Sequence, residues 1–548
     1  MEEKKRIYED KIRKYGMRIE YSRQNRRFEL YRGRFYRDME GEGPREHEVS
    51  KEEIKGFWDT MWKEEGMVGN EADEYLLEFI TGDEEQIVFP SFEEFRVIIE
   101  YLPNWKAAGV DSIYNYFNKK LTSIHQDLYR IIKEICLESK EQDDRFYQGI
   151  TYLVPKGTPK SGSEFRPITC MSNLYKLPIN CATKVMQETV EQRELLSGKQ
   201  MVTVRRVQGA KEQALTNIAI NRTHGNKLKT AWIDVKKAYD SVNHGYLIKC
   251  IERLNMAPWI TKFLKSIVGK WNIQIREGGE EILEKKIDRG ILQGDSLSLL
   301  LFVLCMDPLS RKLNSIYPKV EIEGEEENYL CNHLLFVDDL KLIVKDETIL
   351  KEMMDETKRF FTKVGLEMNK EKSATNSQVC AEDAKLIEGT EGYKYLGITE
   401  DSRSRTEPET MNKIKDKIKE RLSKTRLNGK NLMKGINEHV ISLINYYVGV
   451  LEAEPEEYGK IDEDIRRIVI SKGYHVQPSC KERLYMARDE LGRVLQKVEL
   501  KSELMILELK QMFERRKAIL KAERSGQTRL ANIEGFLKAK YEIKEEKR

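Results

Sequence analysis

Two adjacent aspartates, Asp338 and Asp339, stand between two apolar runs in residues 332–344. Strand-forming residues on both sides of a polar pair predict a β-hairpin with the two acids at its turn. Because successive side chains of a strand point to opposite faces, only one of the two acids can lead into a site shared with a neighbouring strand. Two acids at a tight turn more often form a simple exposed turn, so a second segment is needed before a site is indicated.

Another acid, Asp234, supplies that second segment. Residues 230–242 start as a buried strand and turn helical after Val235, so Asp234 lies where the strand ends. If this strand neighbours the hairpin, Asp234 and Asp338 converge, and two close carboxylates repel each other unless cations lie between them. Carboxylate oxygens without histidine or cysteine partners select hard ions, so the pair predicts a Mg²⁺ site.

A loop with a glycine on either side of Gln293 occupies residues 289–298 and leads into an apolar run. Asp295 or Ser296 can cap a helix formed by that run. Glycine lets the backbone of such a loop approach a ligand closely. A plain junction between a loop and a helix would show the same pattern, so this segment alone leaves both interpretations open.

Two cations flank a predicted hairpin in the first half of the chain. Residues 151–157 and 165–169 have the pattern of strands, and the proline, serine and glycine residues between them are a turn signal. This pairing brings Lys156 close to Arg166. Two close cations repel unless an anion joins them, and a nucleoside triphosphate fits that requirement. An exposed pair that binds nothing is the alternative.

Charge gives a weaker indication. The 95 lysines and arginines stand against 92 aspartates and glutamates, which leaves a net charge of +3. A basic groove for nucleic acid must therefore come from local clustering. The first forty residues show such clustering, because their lysines and arginines are interleaved with tyrosines and phenylalanines. This pattern suits single-stranded nucleic acid, and a solvated helix with its aromatics packed on a neighbour is an equal alternative.

The eight cysteines are scattered and form no CxxC pair. Their spacing argues against a zinc site and a disulfide framework, and it fits a reducing intracellular compartment, the nucleus or the cytoplasm. The most apolar run, residues 297–306, is too short to cross a bilayer, so we expect a buried core helix there. No signal peptide is visible, and no membrane partner is expected.

The apolar pattern divides the chain into four regions. Residues 1–85 are predicted to be a basic helical N-terminal extension, and residues 86–400 mix strand and helix signals. Residues 401–525 are predicted to be helical, and residues 526–548 form a charged tail. A chain of 548 residues exceeds what one hydrophobic core usually supports, so several packed units are expected.

In this order the four motifs resemble the reverse transcriptases of non-long-terminal-repeat (LINE-type) retrotransposons, most of all the class with a restriction-like endonuclease. The likeness extends to residues 105–111, 365–373 and 393–398. It implies an α+β right-hand polymerase, with fingers and an antiparallel palm sheet in residues 86–400 and a helical thumb in residues 401–525. It also implies an RNA-directed DNA polymerase whose partners are an RNA template, a DNA primer and dNTPs.

The resemblance further implies a role for each matching residue. Asp234 and Asp338, supported by Asp339, would bind two Mg²⁺ ions, with Mn²⁺ as the alternative ion. Lys156 and Arg166 would hold the incoming triphosphate. The remaining implied roles are exclusion of the ribose 2′-hydroxyl by Tyr239, contact with the nascent base pair by Gln293 and Gly294, protonation of pyrophosphate by Lys372, and the primer grip at Tyr395, Leu396 and Gly397.

Two positions depart from the family pattern. Leu299 follows Ser298 where a proline is usual, and Val494 stands where a second glycine is expected. The leucine alters the start of a helix without removing a catalytic group, and losses of this kind mark a decaying copy. With neither zinc modules nor a nuclease signature, the chain is expected to be the polymerase region only. The alternatives are a catalytically decayed RNA-binding relic of a retroelement and a group II intron-type reverse transcriptase or maturase.

Overall fold

The structure, a computed structural model, describes most of the chain. The described residues are 2–39, 48–63, 72–77, 89–198, 209–277, 279–322, 328–389, 391–403, 409–451, 453–514 and 529–542. Residues 40–47, 64–71 and 78–85 of the predicted N-terminal extension lie outside them, as do residues 526–528 and 543–548 of the predicted tail.

Helices precede, separate and follow the strands, and side-chain caps define where several of them begin. Ser50 and Ser91 each accept a hydrogen bond from the third helical N–H, and Ser91 forms a full capping box with Glu94. The described helices are α1 (Glu2–Leu30), α2 (Arg32–Met39), α3 (Lys51–Met61), α4 (Asp73–Leu76), α5 (Phe92–Tyr101), α6 (Asn115–Lys120), α7 (His125–Glu138), α8 (Lys176–Gln192), α9 (Gly209–His224), α10 (Ala238–Ser241), α11 (His244–Arg253), α12 (Pro258–Val268), α13 (Ser298–Ile316), α14 (Glu347–Val364), α15 (Glu409–Ser423), α16 (Gly429–Gly435), α17 (Ile444–Tyr447), α18 (Pro455–Ser471), α19 (Val498–Glu514) and α20 (Arg529–Lys540).

The described strands lie between residues 148 and 400. They are β1 (Gln148–Pro155), β2 (Phe165–Met171), β3 (Lys229–Ile233), β4 (Asn272–Glu277), β5 (Glu280–Lys286), β6 (Val320–Ile322), β7 (Tyr329–Cys331), β8 (His333–Phe336), β9 (Asp339–Val344), β10 (Ala374–Thr375), β11 (Lys385–Leu386), β12 (Tyr393–Tyr395) and β13 (Ile398–Glu400).

Two sheets and two antiparallel strand pairs form the β-structure. The first sheet has the order β2-β1-β4-β5, in which only β1 and β4 run parallel. The second has the order β11-β10-β3-β9-β8 and is antiparallel from β10 to β8. The separate pairs are β6–β7 and β12–β13. Together with the helices, this confirms the predicted α+β class and the helical N-terminal region.

The register of the second sheet brings two distant motifs together. Ile233 of β3 lies opposite Leu340 of β9. Asp234, the residue after β3, is therefore next to the start of β9 at Asp339. In the predicted hairpin β8–β9, Phe336 pairs with Asp339, which leaves a turn between the two strands. The sheet thus carries acids from two motifs to one edge.

The hydrophobic core is divided between the strand-containing region and the C-terminal helices. The larger cluster joins both sheets to helices from α3 to α14. It includes α13, which contains most of the apolar run 297–306 and is buried along most of its length, as expected. A second cluster is formed by helices α15 to α20, with two aromatic residues contributed by the N-terminal extension.

Those two residues, Phe28 and Phe35, anchor the extension to the C-terminal helices. Their rings meet edge-on at 5.4 Å, and Phe28 is 1% exposed. Tyr15 and Tyr31 of the same extension face solvent. The packing interpretation therefore holds for some of the aromatic residues, whereas binding of single-stranded nucleic acid by the exposed ones stays a prediction.

Two further findings concern membrane-spanning helices and the state of the cysteines. No helix in the described part of the chain has both the length and the apolar character needed to span a bilayer. All eight cysteines are free thiols, and Cys480 is the exposed one among them.

Candidate active site

A cleft of about 1720 Å³ opens where the β1–β2 hairpin, the end of β3 and the β8–β9 turn meet. Eight of the residues selected from the sequence line it: Lys156, Arg166, Asp234, Tyr239, Gln293, Asp338, Asp339 and Lys372. The other selected residues, Gly294, Tyr395, Leu396 and Gly397, are described but do not line it. Residues from five separate segments of the sequence thus share one cavity.

The β8–β9 turn presents Asp338 to the cleft. The turn consists of Val337 and Asp338 alone, and Val337 has φ +59°. A β-branched residue is strained in this region because its Cβ approaches the neighbouring carbonyl oxygen. Backbone strain of this kind persists where the surrounding structure over-determines it, commonly at functional sites. Asp338 is half-buried, whereas Asp339 is exposed.

The acids at this edge disfavour each other's ionisation. Burial raises the pKa of Asp338, and the nearby Asp234 carboxylate raises it further, against the opposing effect of Arg166 and Lys156. Although Asp339 keeps part of its surface exposed, its partial burial in the cleft and both neighbouring carboxylates raise its pKa to about 6. A cation between these groups would remove the repulsion and return the acids to their charged form.

Asp234 is held by two residues, Ser373 and Asn369, that the sequence analysis did not select as site residues. Its backbone N–H donates to Ser373 Oγ at 3.0 Å, and its carbonyl accepts from the backbone N–H of Asn369 at 2.8 Å. Asn369 Nδ2 also donates to Asp234 Oδ2 at 3.0 Å, which orients the carboxylate. Both partners lie in residues 365–373, so the matching motif was the signal that could have found them.

The opposite wall of the cleft is cationic. Arg166 lies on β2 opposite Val154, and Lys156 lies just after β1 rather than within the strand as predicted. Burial lowers the pKa of Lys156, and the neighbouring charges of Arg166 and Lys372 lower it further. The three cations therefore crowd one another, and an anionic group between them would be stabilised.

Tyr239 projects from α10 between the acids and the core. Its ring stacks on Phe302 at 4.7 Å with an interplanar angle of 18°. Burial and the carboxylate of Asp338 raise the pKa of Tyr239 to about 12, so the phenol stays neutral at physiological pH. A ring fixed in this way has little freedom to move aside for a bulkier ligand.

The Gln293 loop packs against strand β2. The backbone carbonyl of Gln293 accepts from the N–H of Thr169 at 2.7 Å. Gly294 follows with φ +115°, and a Cβ there would come within 2.7 Å of the Thr169 carbonyl oxygen. Glycine is therefore required at this position for both the conformation and the close approach.

Asp240 is a buried acid at this site that the sequence analysis missed. It accepts hydrogen bonds from Gln293 Nε2 at 3.1 Å and from Trp62 Nε1 at 3.4 Å. Burial raises its pKa to about 7, against the opposing effect of Lys237. Lys237 in turn stacks over the Trp58 ring at 4.5 Å. The motif around Asp234 contains Asp240, but nothing local to it predicts the contact with Gln293.

Residues 395–397 form the tip of the β12–β13 hairpin, away from the cleft lining. Leu396 and Gly397 make the turn with φ +45° and +80°. Tyr395 is buried, and its hydroxyl accepts a hydrogen bond from Gln213 Nε2 at 3.3 Å. Tyr446 donates its hydroxyl hydrogen to the Leu396 carbonyl at 2.5 Å. The backbone of this tip is therefore fixed by side chains from two helices.

The acids suit an ion that takes only part of its coordination from protein. No cluster of three or more His, Cys, Asp and Glu side chains that could hold a metal ion occurs within the described residues. Mg²⁺ is commonly bound by one or two carboxylates and completes its octahedron with water and substrate phosphates. The convergent Asp234 and Asp338, whose mutual repulsion raises the pKa of Asp338, fit that requirement.

Comparison with known proteins agrees with this geometry. Residues 158–399 match the family model for reverse transcriptase (RNA-dependent DNA polymerase). A retrovirus-related Pol polyprotein from the type-1 retrotransposable element R2 of Popillia japonica is 29% identical over 232 residues, which are 41% of this chain and 32% of that protein. The polyprotein from the type-2 element R2DM of Drosophila melanogaster is 25% identical over 333 residues, 55% of this chain and 30% of that protein.

The chain thus spans about a third of the length of these relatives. Among solved structures, apo telomerase from Candida tropicalis is similar over 75% of this chain and 73% of its own, with a TM-score of 0.38 and 14% identity. Telomerase from Candida albicans, solved with a fragment of telomeric RNA, also has a TM-score of 0.38, at 13% identity over 73% of this chain and 68% of its own.

An antiparallel sheet here carries paired acids to a cleft that is also lined by cations, an arrangement that suits metal-assisted transfer of a phosphoryl group. The family match makes the assignment specific: over residues 158–399 the chain is a reverse transcriptase domain of the non-long-terminal-repeat retrotransposon type. The resemblance identified from the sequence is thereby confirmed. Reverse transcriptases are RNA-dependent DNA polymerases that use divalent metal ions.

Proposed function

We propose that this chain copies retroelement RNA into DNA as an RNA-directed DNA polymerase. The observation that carries the proposal is the meeting of Asp234 and Asp338 in one cleft, opposite Lys156 and Arg166. Paired acids facing paired cations match the two ends of a nucleotidyl transfer, in which an attacking hydroxyl must lose a proton and a triphosphate must be held.

Asp234 and Asp338 would hold two Mg²⁺ ions, with Asp339 in support and Mn²⁺ as the alternative ion. When bound, such ions lower the pKa of the primer 3′-hydroxyl and neutralise the charge of the leaving pyrophosphate. The chain's own contribution is to orient the acids: Asn369 fixes one oxygen of Asp234, and the strained turn fixes Asp338.

The cationic wall would bind the triphosphate of the incoming dNTP. Lys156 and Arg166 are held on the two arms of one hairpin, so their spacing is set by strand pairing. Lys372 borders the same cleft and is exposed, which suits a group that donates a proton to departing pyrophosphate. The crowding of these cations in the free protein would be relieved when the nucleotide binds.

Residues at the floor of the cleft would select the sugar and the base of the incoming nucleotide. Tyr239, fixed against Phe302, would exclude a ribose 2′-hydroxyl and so restrict the product to DNA. Gln293 and Gly294 would line the nascent base pair, with their loop anchored on Thr169. An RNA template, a DNA primer and dNTPs are the corresponding partners, in an intracellular setting.

The proposed primer grip is the tip of the β12–β13 hairpin at Tyr395, Leu396 and Gly397. We further propose that residues 86–400 act as fingers and palm, residues 401–525 as thumb, residues 1–85 as a basic extension and residues 526–548 as a tail. The hydrophobic cluster shared by helices α15 to α19 supports a thumb with a core of its own, to which α20 of the proposed tail and two aromatic residues of the extension contribute.

Primer extension on an RNA template tests the proposal. Wild type should incorporate dNTPs in the presence of Mg²⁺, and Asp338→Asn should lower the rate at least about 100-fold, because a charge that stabilises the transition state is lost. Glu382→Gln, an exposed acid outside the cleft, is the matched control and should extend normally. A wild-type chain that binds RNA and incorporates nothing would contradict the proposal and favour a decayed RNA-binding relic.

A further inference from the structure

A fully buried ion pair lies behind the acids of the cleft. Lys341 Nζ and Glu400 Oε2 are 2.7 Å apart, and both side chains are 0% exposed. Lys341 stands two residues after Asp339 on β9, and side chains two apart on a strand share one face. The face of the sheet that presents Asp339 therefore continues directly to the lysine.

The pair is the centre of a hydrogen-bonded network that joins four elements. Lys341 donates to Asn217 Oδ1 at 2.7 Å, and Asn217 and Asn221 of α9 both donate to Glu400 Oε1, the latter at 3.1 Å. Trp232 Nε1 of β3 donates to Glu400 Oε2 at 3.3 Å. Trp232 lies opposite Lys341 in the β3–β9 register, so the network spans both strands that carry the acids.

Glu400 ends β13, so the same network holds the β12–β13 hairpin. Tyr393 at the start of that hairpin stacks on Trp232 at 5.5 Å. Burial raises the pKa of Tyr393, and the charges of Asp234 and Asp339 add to the effect. The base of the hairpin therefore packs against Trp232 of β3, two residues before Asp234.

Stability alone does not account for this network. Burial of two charges costs free energy that their mutual attraction only partly offsets, and apolar residues of similar volume are often as stable. Burial lowers the pKa of Lys341, with Glu400 acting against that shift. What an ion pair adds over an apolar contact is a fixed distance and direction between the groups it joins.

We propose that Lys341 and Glu400 are positioning residues that fix the β12–β13 hairpin relative to Asp234 and Asp339, and so set where a primer end held by the hairpin meets the acids. The effect on the primer end rests on the proposed polymerase function, whereas the fixed position of the hairpin does not depend on that function. Neither residue lines the cleft, so each acts through the elements it joins.

The test is a double variant, Lys341→Met with Glu400→Gln, which removes both charges and keeps the side-chain volumes. The melting temperature should stay close to that of wild type. Hydrogen exchange at the amides of residues 393–400 should become faster, and kcat/KM for primer–template should fall about 10- to 100-fold because the reacting groups are misplaced. The KM for dNTP should change less than about twofold, since Lys156 and Arg166 belong to the other sheet.

The matched control is Lys229→Met with Glu347→Gln. This ion pair joins β3 to helix α14 and lies at the opposite end of the strand from Asp234. It should leave both the exchange of residues 393–400 and the primer kinetics unchanged.

Hairpin exchange and primer kinetics equal to those of wild type in the first double variant would overturn the inference. If wild type makes no DNA, the polymerase proposal fails, and the exchange measurement alone decides the positioning role. Should the double variant fail to fold, Asn221→Leu removes the amide that donates to Glu400 Oε1 and keeps the side-chain volume. Faster hairpin exchange in that variant supports the inference, and unchanged exchange overturns it.

Discussion

Gln293 Nε2 donates a hydrogen bond to Asp240 Oδ2 at 3.1 Å, which joins the loop lining the cleft to a carboxyl group buried beneath it. The other oxygen of Asp240 accepts from Trp62 Nε1, so both of its oxygens are engaged. Because burial raises the pKa of Asp240 to about 7, the charge under Gln293 changes within the physiological range.

Asp240→Asn should therefore change how stability depends on pH. A carboxyl whose pKa rises on folding binds a proton in the folded state, so its contribution to stability is complete in acid and is lost as the pH rises through about 7. The Asp240→Asn variant does not lose stability in this way. The difference between its melting temperature and that of wild type should therefore rise by a few degrees between about pH 5 and 8. Thermal melts in metal-free buffer measure the difference.

The control for this prediction is Asp127→Asn, an exposed acid of α7. Its melting curve should follow wild type at every pH. Parallel pH profiles for Asp240→Asn and wild type would mean that Asp240 titrates near its ordinary value despite its burial.

Tyr239→Ala should admit ribonucleotides. The ring is held against Phe302 in the cleft, so its removal opens space without an evident neighbour to fill it. The ratio of kcat/KM for dNTP to that for rNTP should fall about 10- to 100-fold, measured by single-nucleotide extension. Tyr152→Ala, a half-exposed tyrosine on β1 outside the cleft, should leave the ratio unchanged. An unchanged ratio in Tyr239→Ala would show that the ring does not face the sugar.

Lys156→Met should weaken nucleotide binding and spare primer binding. The lysine lies beside Arg166 and Lys372, and its loss removes one of the cations available to a triphosphate. The KM for dNTP should rise about tenfold, the scale of one hydrogen bond to a charged group. Lys133→Met, an exposed lysine of α7, serves as the control. Loss of primer affinity with an unaltered KM for dNTP would contradict the assignment.

Val337 offers a test of strain at the β8–β9 turn. At φ +59° a Cβ is costly, so Val337→Gly should be more stable than Val337→Ala by about 1 kcal/mol. Val154 on β1 provides the opposite case: there the alanine variant should be more stable than the glycine variant, by about 0.5–1 kcal/mol. Chemical denaturation of the four variants gives both differences. The same order at both positions would mean that the turn is unstrained.

Features encoded by local pattern could be read from the sequence. Apolar runs around Asp338 and Asp339 predicted the β8–β9 hairpin, and the turn signal after Lys156 predicted the β1–β2 hairpin. Their meeting in one cleft followed from motif order and the family resemblance. Side-chain period and turn chemistry act over a few residues, so such features need no knowledge of the rest of the fold.

Contacts between distant polar residues could not be predicted in this way. Asp240 bonds to Gln293 across 53 positions, and Lys341 pairs with Glu400 across 59. A lysine in an otherwise apolar strand has the pattern of an exposed residue, and only the packed helix α9 and hairpin make it buried. The positive φ of Val337 is likewise imposed by its surroundings, because valine has no local preference for it.

The placement of Phe28 and Phe35 in the cluster of the C-terminal helices has a consequence for how the chain is made. Asn25 beside them donates a hydrogen bond to the Arg426 carbonyl across 401 positions of sequence, so helix α1 gains these partners only after the C-terminal helices have been translated. Until then its aromatic residues stay unburied, and contacts of such long range form slowly. The apolar side chains of that helix in the nascent chain therefore need protection from aggregation while the intervening polymerase domain is still being translated.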